Sequence, residues 1–348
     1  MLSPFLKNEF HTGLRVGYLL MDYIQDGEML SETFKDRKGD EDLQSNLFTD
    51  LSRILLSLAK IPQPRIGSFT FEDDGRITLS NRPLTLQLHM LENEKVPTNI
   101  GRKTTYSSVA DYIYDLLGYH DSRLLHQPNS MDNEDDGRRQ MGAISLMRAT
   151  SVHFINLETR HGPFYFTLTD LHQSNIFVDQ DWHVKSIIDL EWACSLPSEM
   201  LQPPYWITDE PIDHLTGENL EKFSKVRDKF MSIFEREEKL YTHTNQAPRT
   251  RMMQKNWETG SFWYFAALES TKGLYNIFRR NIRPKFSENF SYQEVSHYWR
   301  TNTDKVIQAK LDDRQSYRDN LIQRAMKGRE LSEGESAERK KALREREL

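Results

Sequence analysis

Three oxygen-bearing side chains near the middle of the chain carry its strongest chemical signal. In the run Phe164 to Ala193, FYFTLTDLHQSNIFVDQDWHVKSIIDLEWA, Asp170 and Asn175 bracket a short polar loop, and Asp189 follows two β-branched segments. Hard oxygen donors of this kind suit Mg²⁺, which usually keeps several waters and is shared with substrate phosphates. Phosphoryl transfer asks the protein to position the attacking hydroxyl and neutralise phosphate charge, with little covalent chemistry of its own. In that scheme Asp170 accepts or orients the proton of an acceptor hydroxyl, while Asn175 and Asp189 hold the metal against nucleotide phosphates.

Bringing these three groups together requires a hairpin. Ile176 to Val178 and Val184 to Ile188 read as strands, joined by the turn Asp179-Gln180-Asp181-Trp182-His183. Such a hairpin folds its outer ends together, so Asp170 and Asn175 before it and Asp189 after it share one end. Taken singly, Asp170 also fits a turn or cap, and Asp189 a strand terminus. The joint pattern is what points to a site. His172 is expected to orient the loop by hydrogen bonding, and Glu191 either assists the metal or pairs with a base.

At these residues the chain resembles the aminoglycoside phosphotransferase family, and within it the fungal proteins carrying that domain. The family loop His-Gly-Asp-x-His-x-x-Asn, followed by Ile-Asp-Trp/Phe-Glu, stands here as Leu168-Thr169-Asp170-Leu171-His172-Gln173-Ser174-Asn175 and Ile188-Asp189-Leu190-Glu191. Leu168 and Thr169 thus replace the usual His-Gly pair. The resemblance implies a protein-kinase-like α+β fold, Asp170 as the catalytic aspartate, Asn175 and Asp189 as metal ligands, and Mg²⁺ and ATP as cofactors. Gly17 to Ile24, followed by Gln25-Asp26-Gly27, looks like the kinase hinge. It would present backbone groups of Met21, Asp22 and Tyr23 to an adenine edge; a buried strand ending in a turn is the alternative.

The sixteen residues before Gly17 hold no Gly-rich loop, no strand with a phosphate-binding Lys and no helix with its Glu partner. The expected organisation is therefore a hinge with a remnant of the small lobe over 1–30, a helical large lobe over 31–326 and a charged tail over 327–348. Transfer of the ATP γ-phosphate to a small-molecule hydroxyl is the expected function, impaired in this chain by the missing small lobe. Two alternatives stand beside it: a non-catalytic kinase-like binding module, or pseudoenzyme, and an incomplete version of a longer active protein.

A net charge of −6 and a pI near 6.0 argue against whole-chain affinity for nucleic acid or anionic membrane. Cys194 is the single cysteine, so no intrachain disulfide forms, and its neighbours suggest a small buried thiol. Lys7, Glu9 and His11 interrupt any apolar start, and no later segment reaches transmembrane length. The expected setting is cytoplasmic, with a nucleotide and a small-molecule acceptor as partners. Neither the acceptor nor the oligomeric state is legible.

Helical spacing of Leu47, Leu51, Ile54, Leu55 and Leu58 predicts a helix over Asn46 to Lys60, stopped by Pro62 and Pro64. Thr70 to Leu79 reads as a hairpin about Asp73-Asp74-Gly75. Val109, Tyr112, Ile113, Leu116 and Leu117 predict a helix ending at Gly118. Gln127 to Arg139 reads as a solvated loop that imitates the opening of an EF-hand but has Ala143 where the closing Glu belongs. A helix then spans Met141 to Met147. Leu201 to Trp206 is expected to run extended near the metal site, and helices are expected over Asn219 to Tyr241 and Trp257 to Arg280. Lys327 to Leu348 reads as a frayed helix or disordered tail.

Overall fold

The computed structural model describes residues 22–287 and 289–344, with 327–344 as backbone alone. It is a mixed α+β protein in which helices surround small antiparallel sheets. Strand β1 (Glu28–Met29) runs directly into helix α1 (Leu30–Arg37), and α2 (Glu41–Leu58) follows. Asp40 sets the start of α2, ahead of the Asn46 expected from apolar spacing. Its carboxylate accepts from the backbone N–H groups of Asp42 and Leu43, and Glu41 and Asp42 favour the positive end of the helix. Strands β2 (Ser68–Phe71) and β3 (Ile77–Asn81) form the expected hairpin.

Helix α3 (Leu86–Asn93) precedes α4 (Val109–His126). Contrary to expectation, α4 runs through Gly118. Beyond that glycine Tyr119, His120 and Leu124 are buried, and both the Tyr119 hydroxyl and His120 Nε2 bond the carbonyl oxygen of Leu268. These contacts outweigh the roughly 1 kcal/mol that glycine costs inside a helix. The acidic run after it is also corrected: α5 (Glu134–Thr150) starts within the segment expected as a loop. Asn133 caps it by accepting from the Asp136 N–H, so Glu134, Asp135 and Asp136 form its first turn.

Four strands then carry the candidate site: β4 (Phe164–Leu168), β5 (Ile176–Val178), β6 (Val184–Ile187) and β7 (Ala193–Pro197). β5 and β6 form the anticipated hairpin, extended on one side by β1. β4 pairs antiparallel with β7 from Phe164↔Pro197 to Leu168↔Ala193. The hairpin is therefore an excursion between two paired strands.

The remaining helices are α6 (Glu218–Thr242), α7 (Pro248–Thr259), α8 (Ser261–Glu269), α9 (Leu274–Ile277), α10 (Tyr292–Ser296) and α11 (Thr303–Arg344). The single helix expected over Trp257 to Arg280 is broken twice. Gly260 sits at φ +87°, where a Cβ would lie 2.4 Å from Lys285 Cε; a positive φ with so little room favours glycine. A turn between Ser270 and Gly273 makes the second break, where the Gly273 N–H donates to Ser270 Oγ. The α8 segment, SFWYFAALE, is apolar on nearly every side and lies in the core, as such composition demands. Among the described residues, no helix is long and apolar enough to cross a membrane.

Candidate active site

Strand pairing builds the site outward from its base. The Leu168↔Ala193 pair is extended by Thr169, whose N–H and Oγ1 both donate to the Trp192 carbonyl at 2.8 Å. Inside that closure the Ile188 N–H donates to the Asn175 carbonyl at 2.9 Å, which continues the β5–β6 ladder. Two successive closures thus bring the residues after β4 beside those before β7. Thr169 thus braces the loop.

The far end of the hairpin is pinned as firmly. Asp179 accepts from the N–H groups of Asp181 and His183, which shapes the turn. Trp182 adopts a positive φ of 60°, is fully buried and stacks on Phe34 of α1 with ring centroids 5.5 Å apart. From α2, Asn46 donates to the Asp181 carbonyl and Asp50 Oδ2 accepts from the Val184 N–H. The turn is polar at its start, and its tryptophan is the anchor.

At the site itself, Asn175 is nearly buried, and its Nδ2 donates to both the Asp170 carbonyl at 2.9 Å and Asp170 Oδ2 at 3.1 Å. The amide is thereby oriented, and its Oδ1 accepts from Ser174 Oγ at 3.3 Å. Asp189 is exposed just past β6 and takes a left-handed φ of 55°, a conformation that aspartate tolerates better than most side chains. Burial pushes the Asp170 carboxyl above its usual range; the charges of Asp189 and Glu191 act the same way, against the Asn175 hydrogen bond and the His172 charge. Asp170 and Asn175 are in direct contact, and Asp189 acts on them through its field and the adjoining backbone.

Neighbouring groups hold the loop. The His172 ring nitrogen Nδ1 accepts from the Ser174 N–H, burial lowers its pKa, and its ring meets the edge of Trp206. Trp206 Nε1 donates to the Leu171 carbonyl at 2.7 Å. The segment Leu201 to Trp206 therefore lies against the Asp170 loop, although Tyr205 to Thr208 forms a 3-10 turn. Gln173 bonds Asp209, which Lys38 pairs at 3.4 Å.

Two clefts open beside this centre. One, of about 450 Å³, is lined by Asp22, Tyr23, Gly27, Met29, Phe177 and Ile188. Asp22 and Tyr23 of the expected hinge thus share a cleft with the residue that precedes Asp189, while Met21 lies outside the described residues. Gly27, at φ +110°, lets the chain pass Val178; a Cβ there would sit 2.8 Å from its carbonyl oxygen. The other cleft, of about 320 Å³, contains Asp170 with Met200, Tyr205, Phe262, Phe265 and Glu269. Burial alone pushes the Glu269 carboxyl up to about 7. Sequence reading missed Glu269, because a single acid at the end of an apolar helix gives no spacing signal.

The donor set fits a hard divalent ion shared with phosphate. Asn175 Oδ1 and Asp189 could supply oxygen ligands, and the charges of Asp189 and Glu191 both act on Asp170, a repulsion that a cation relieves. Among the described residues no group of three or more His, Cys, Asp or Glu side chains is arranged to hold a metal. An ion here would draw its remaining ligands from phosphate and water, as Mg²⁺ commonly does.

Comparison with family models finds none that matches the chain, and no curated protein or solved structure matches it.

Proposed function

We propose that the Asp170, Asn175 and Asp189 site is a kinase-like phosphotransfer centre that uses Mg²⁺ and ATP to phosphorylate a small-molecule hydroxyl. The observation that supports this reading most is the contact of the Asn175 amide with the Asp170 carboxylate at the base of the hairpin that returns Asp189. Asp170 lines the cleft that also holds Phe262 and Phe265, where an acceptor hydroxyl can reach it. Its raised pKa makes it a better proton acceptor than an ordinary carboxylate, since general bases work best with pKa values near the operating pH. In the transfer, the acceptor oxygen forms a bond to the γ-phosphorus as the bond to the β-phosphate oxygen breaks, and the hydroxyl proton passes to Asp170. Asn175 and Asp189 would hold Mg²⁺, which when bound neutralises phosphate charge. The cleft of Asp22, Tyr23, Phe177 and Ile188 would take the adenine, with apolar faces from Phe177 and Ile188.

The test is thermal unfolding of the chain with ATP, with and without Mg²⁺. A ligand that prefers the native state raises stability by mass action. The expected result is a rise in Tm that requires Mg²⁺ and disappears in Asp189→Ala. No shift at millimolar Mg·ATP would remove the nucleotide site. A shift without turnover on any hydroxyl acceptor would favour the non-catalytic kinase-like module.

A further inference from the structure

We infer that the basic segment Lys272 to Phe286 docks on an anionic lipid surface, with Phe286 and Val152 entering the headgroup layer. This goes beyond the phosphotransfer reading and does not depend on it.

The charge comes from the sequence. Between Glu269 and Glu288 the chain has five basic residues, Lys272, Arg279, Arg280, Arg283 and Lys285, and no acid. In a chain of net charge −6 this is a local reversal of sign. The fold lays the segment out as a strip. Gly273 sits beside Asp213 just past the end of α8, and Lys285 lies against Gly260 at its start. The segment therefore returns along a helix of nine residues, a length of about 14 Å at 1.5 Å per residue. Leu274, Ile277, Phe278 and Ile282 are buried along it, while Lys272, Arg279, Arg280 and Lys285 are exposed.

These charges lack counter-charges. Among the described residues no carboxylate pairs with any of the five. Arg280 Nη1 donates to the Asp213 carbonyl at 2.6 Å and Lys285 Nζ to the Glu258 carbonyl at 3.3 Å, so neutral backbone oxygens hold both. Arg283 lies over the Phe290 ring, 5.8 Å from its centroid.

Apolar groups stand beside the charges. Phe286 directly follows Lys285, is 43% exposed, and meets the His153 ring at 5.1 Å between centroids. Val152, 64% exposed, adjoins His153 in the short turn Ser151–His153. An acidic peptide or a nucleic acid would engage the arginines but gains nothing from an exposed valine. An anionic bilayer surface uses both: its headgroups attract the cations, and apolar tips enter the boundary with the acyl chains.

Co-sedimentation of the full chain with vesicles tests this, one set of pure phosphatidylcholine and the other of equal parts phosphatidylcholine and phosphatidylserine. Binding to the mixed vesicles and none to the pure ones is expected. One basic residue near an anionic surface changes partitioning about fivefold, so Arg279→Gln should weaken binding about fivefold and Arg279→Glu about 25-fold, with both variants folded by circular dichroism. Phe286→Ser should weaken it roughly fivefold through lost apolar contact. Raising salt from about 0.1 M to about 1 M shortens the screening length from about 10 Å to about 3 Å and should release the protein. Equal binding to both vesicle types, no binding to the mixed ones, or undiminished binding by Arg279→Glu overturns the inference. So does Arg279-dependent capture of an RNA oligonucleotide or a polyglutamate peptide by a chain that leaves the vesicles alone. Vesicle binding by a chain that ignores Mg·ATP would retain the lipid surface while removing the phosphotransfer reading.

Discussion

Replacing Glu269 with Gln should make the protein more stable at pH 8 and leave it nearly unchanged at pH 4. Burial moves this carboxyl from the usual 4.5 to about 7 in the folded chain, so between those values the folded protein holds a proton that the unfolded chain has released. Stability then falls as pH rises through that window. Below it both states are protonated and the penalty vanishes; above it the penalty is complete. An interval of about 2.5 pH units at 1.36 kcal/mol each gives roughly 3 kcal/mol. That is a large share of the roughly 5–15 kcal/mol typical of a folded domain. For a chain of 348 residues, it amounts to a Tm difference of about 4 °C. Denaturant unfolding of both proteins at pH 4, 6 and 8 measures it. Stability curves that run parallel from pH 4 to pH 8 would show that the Glu269 carboxyl is not desolvated, and the reasoning about its cleft would go with it.

Trp182→Ala should cost about 3 kcal/mol, near the lower end for removing a buried aromatic, because the indole N–H has no partner among the described residues and its loss is favourable; Trp182→Phe should be much milder. Equal stabilities in denaturant would show that the turn is not anchored on Phe34. Thr169→Val removes the hydroxyl bond to the Trp192 carbonyl and should cost about 1 kcal/mol, read from the denaturant midpoint; no change would discard that brace. Asp170→Asn should lower any turnover by at least about 100-fold. Wild-type turnover should fall on acidification, with a midpoint above the ordinary carboxylate range because burial raises this group. Wild-type activity in the variant, or a pH profile it shares, would discard Asp170 as the base.

Legibility in the sequence follows how local each determinant is. The β5–β6 hairpin was readable because two β-branched runs flank a short turn, and that period is set by neighbours in the chain. Helices α2 and α6 were readable from their apolar stripes. Gly118 misled because the residues after it earn their helix through Leu268, 148 positions away from His120. Gly260 separates α7 from the strongly apolar α8, and its positive φ and the approach of Lys285 give the reason. Asn133 hid the start of α5 by capping an acidic run that reads as solvated loop. Asp170 and Asn175 were legible as a pair because a short loop joins them. Glu269 was not, since its meaning depends on Asp170 reaching the same cleft from a distant strand.

The proposed divalent-cation site of Asn175 and Asp189 is probed by electron paramagnetic resonance of Mn²⁺ titrated into the chain with ADP. The expected result is a protein-bound Mn²⁺ signal that requires ADP and is lost in both Asn175→Ala and Asp189→Ala, with each variant still folded by circular dichroism. A bound signal of equal strength in the wild type and both variants would contradict it.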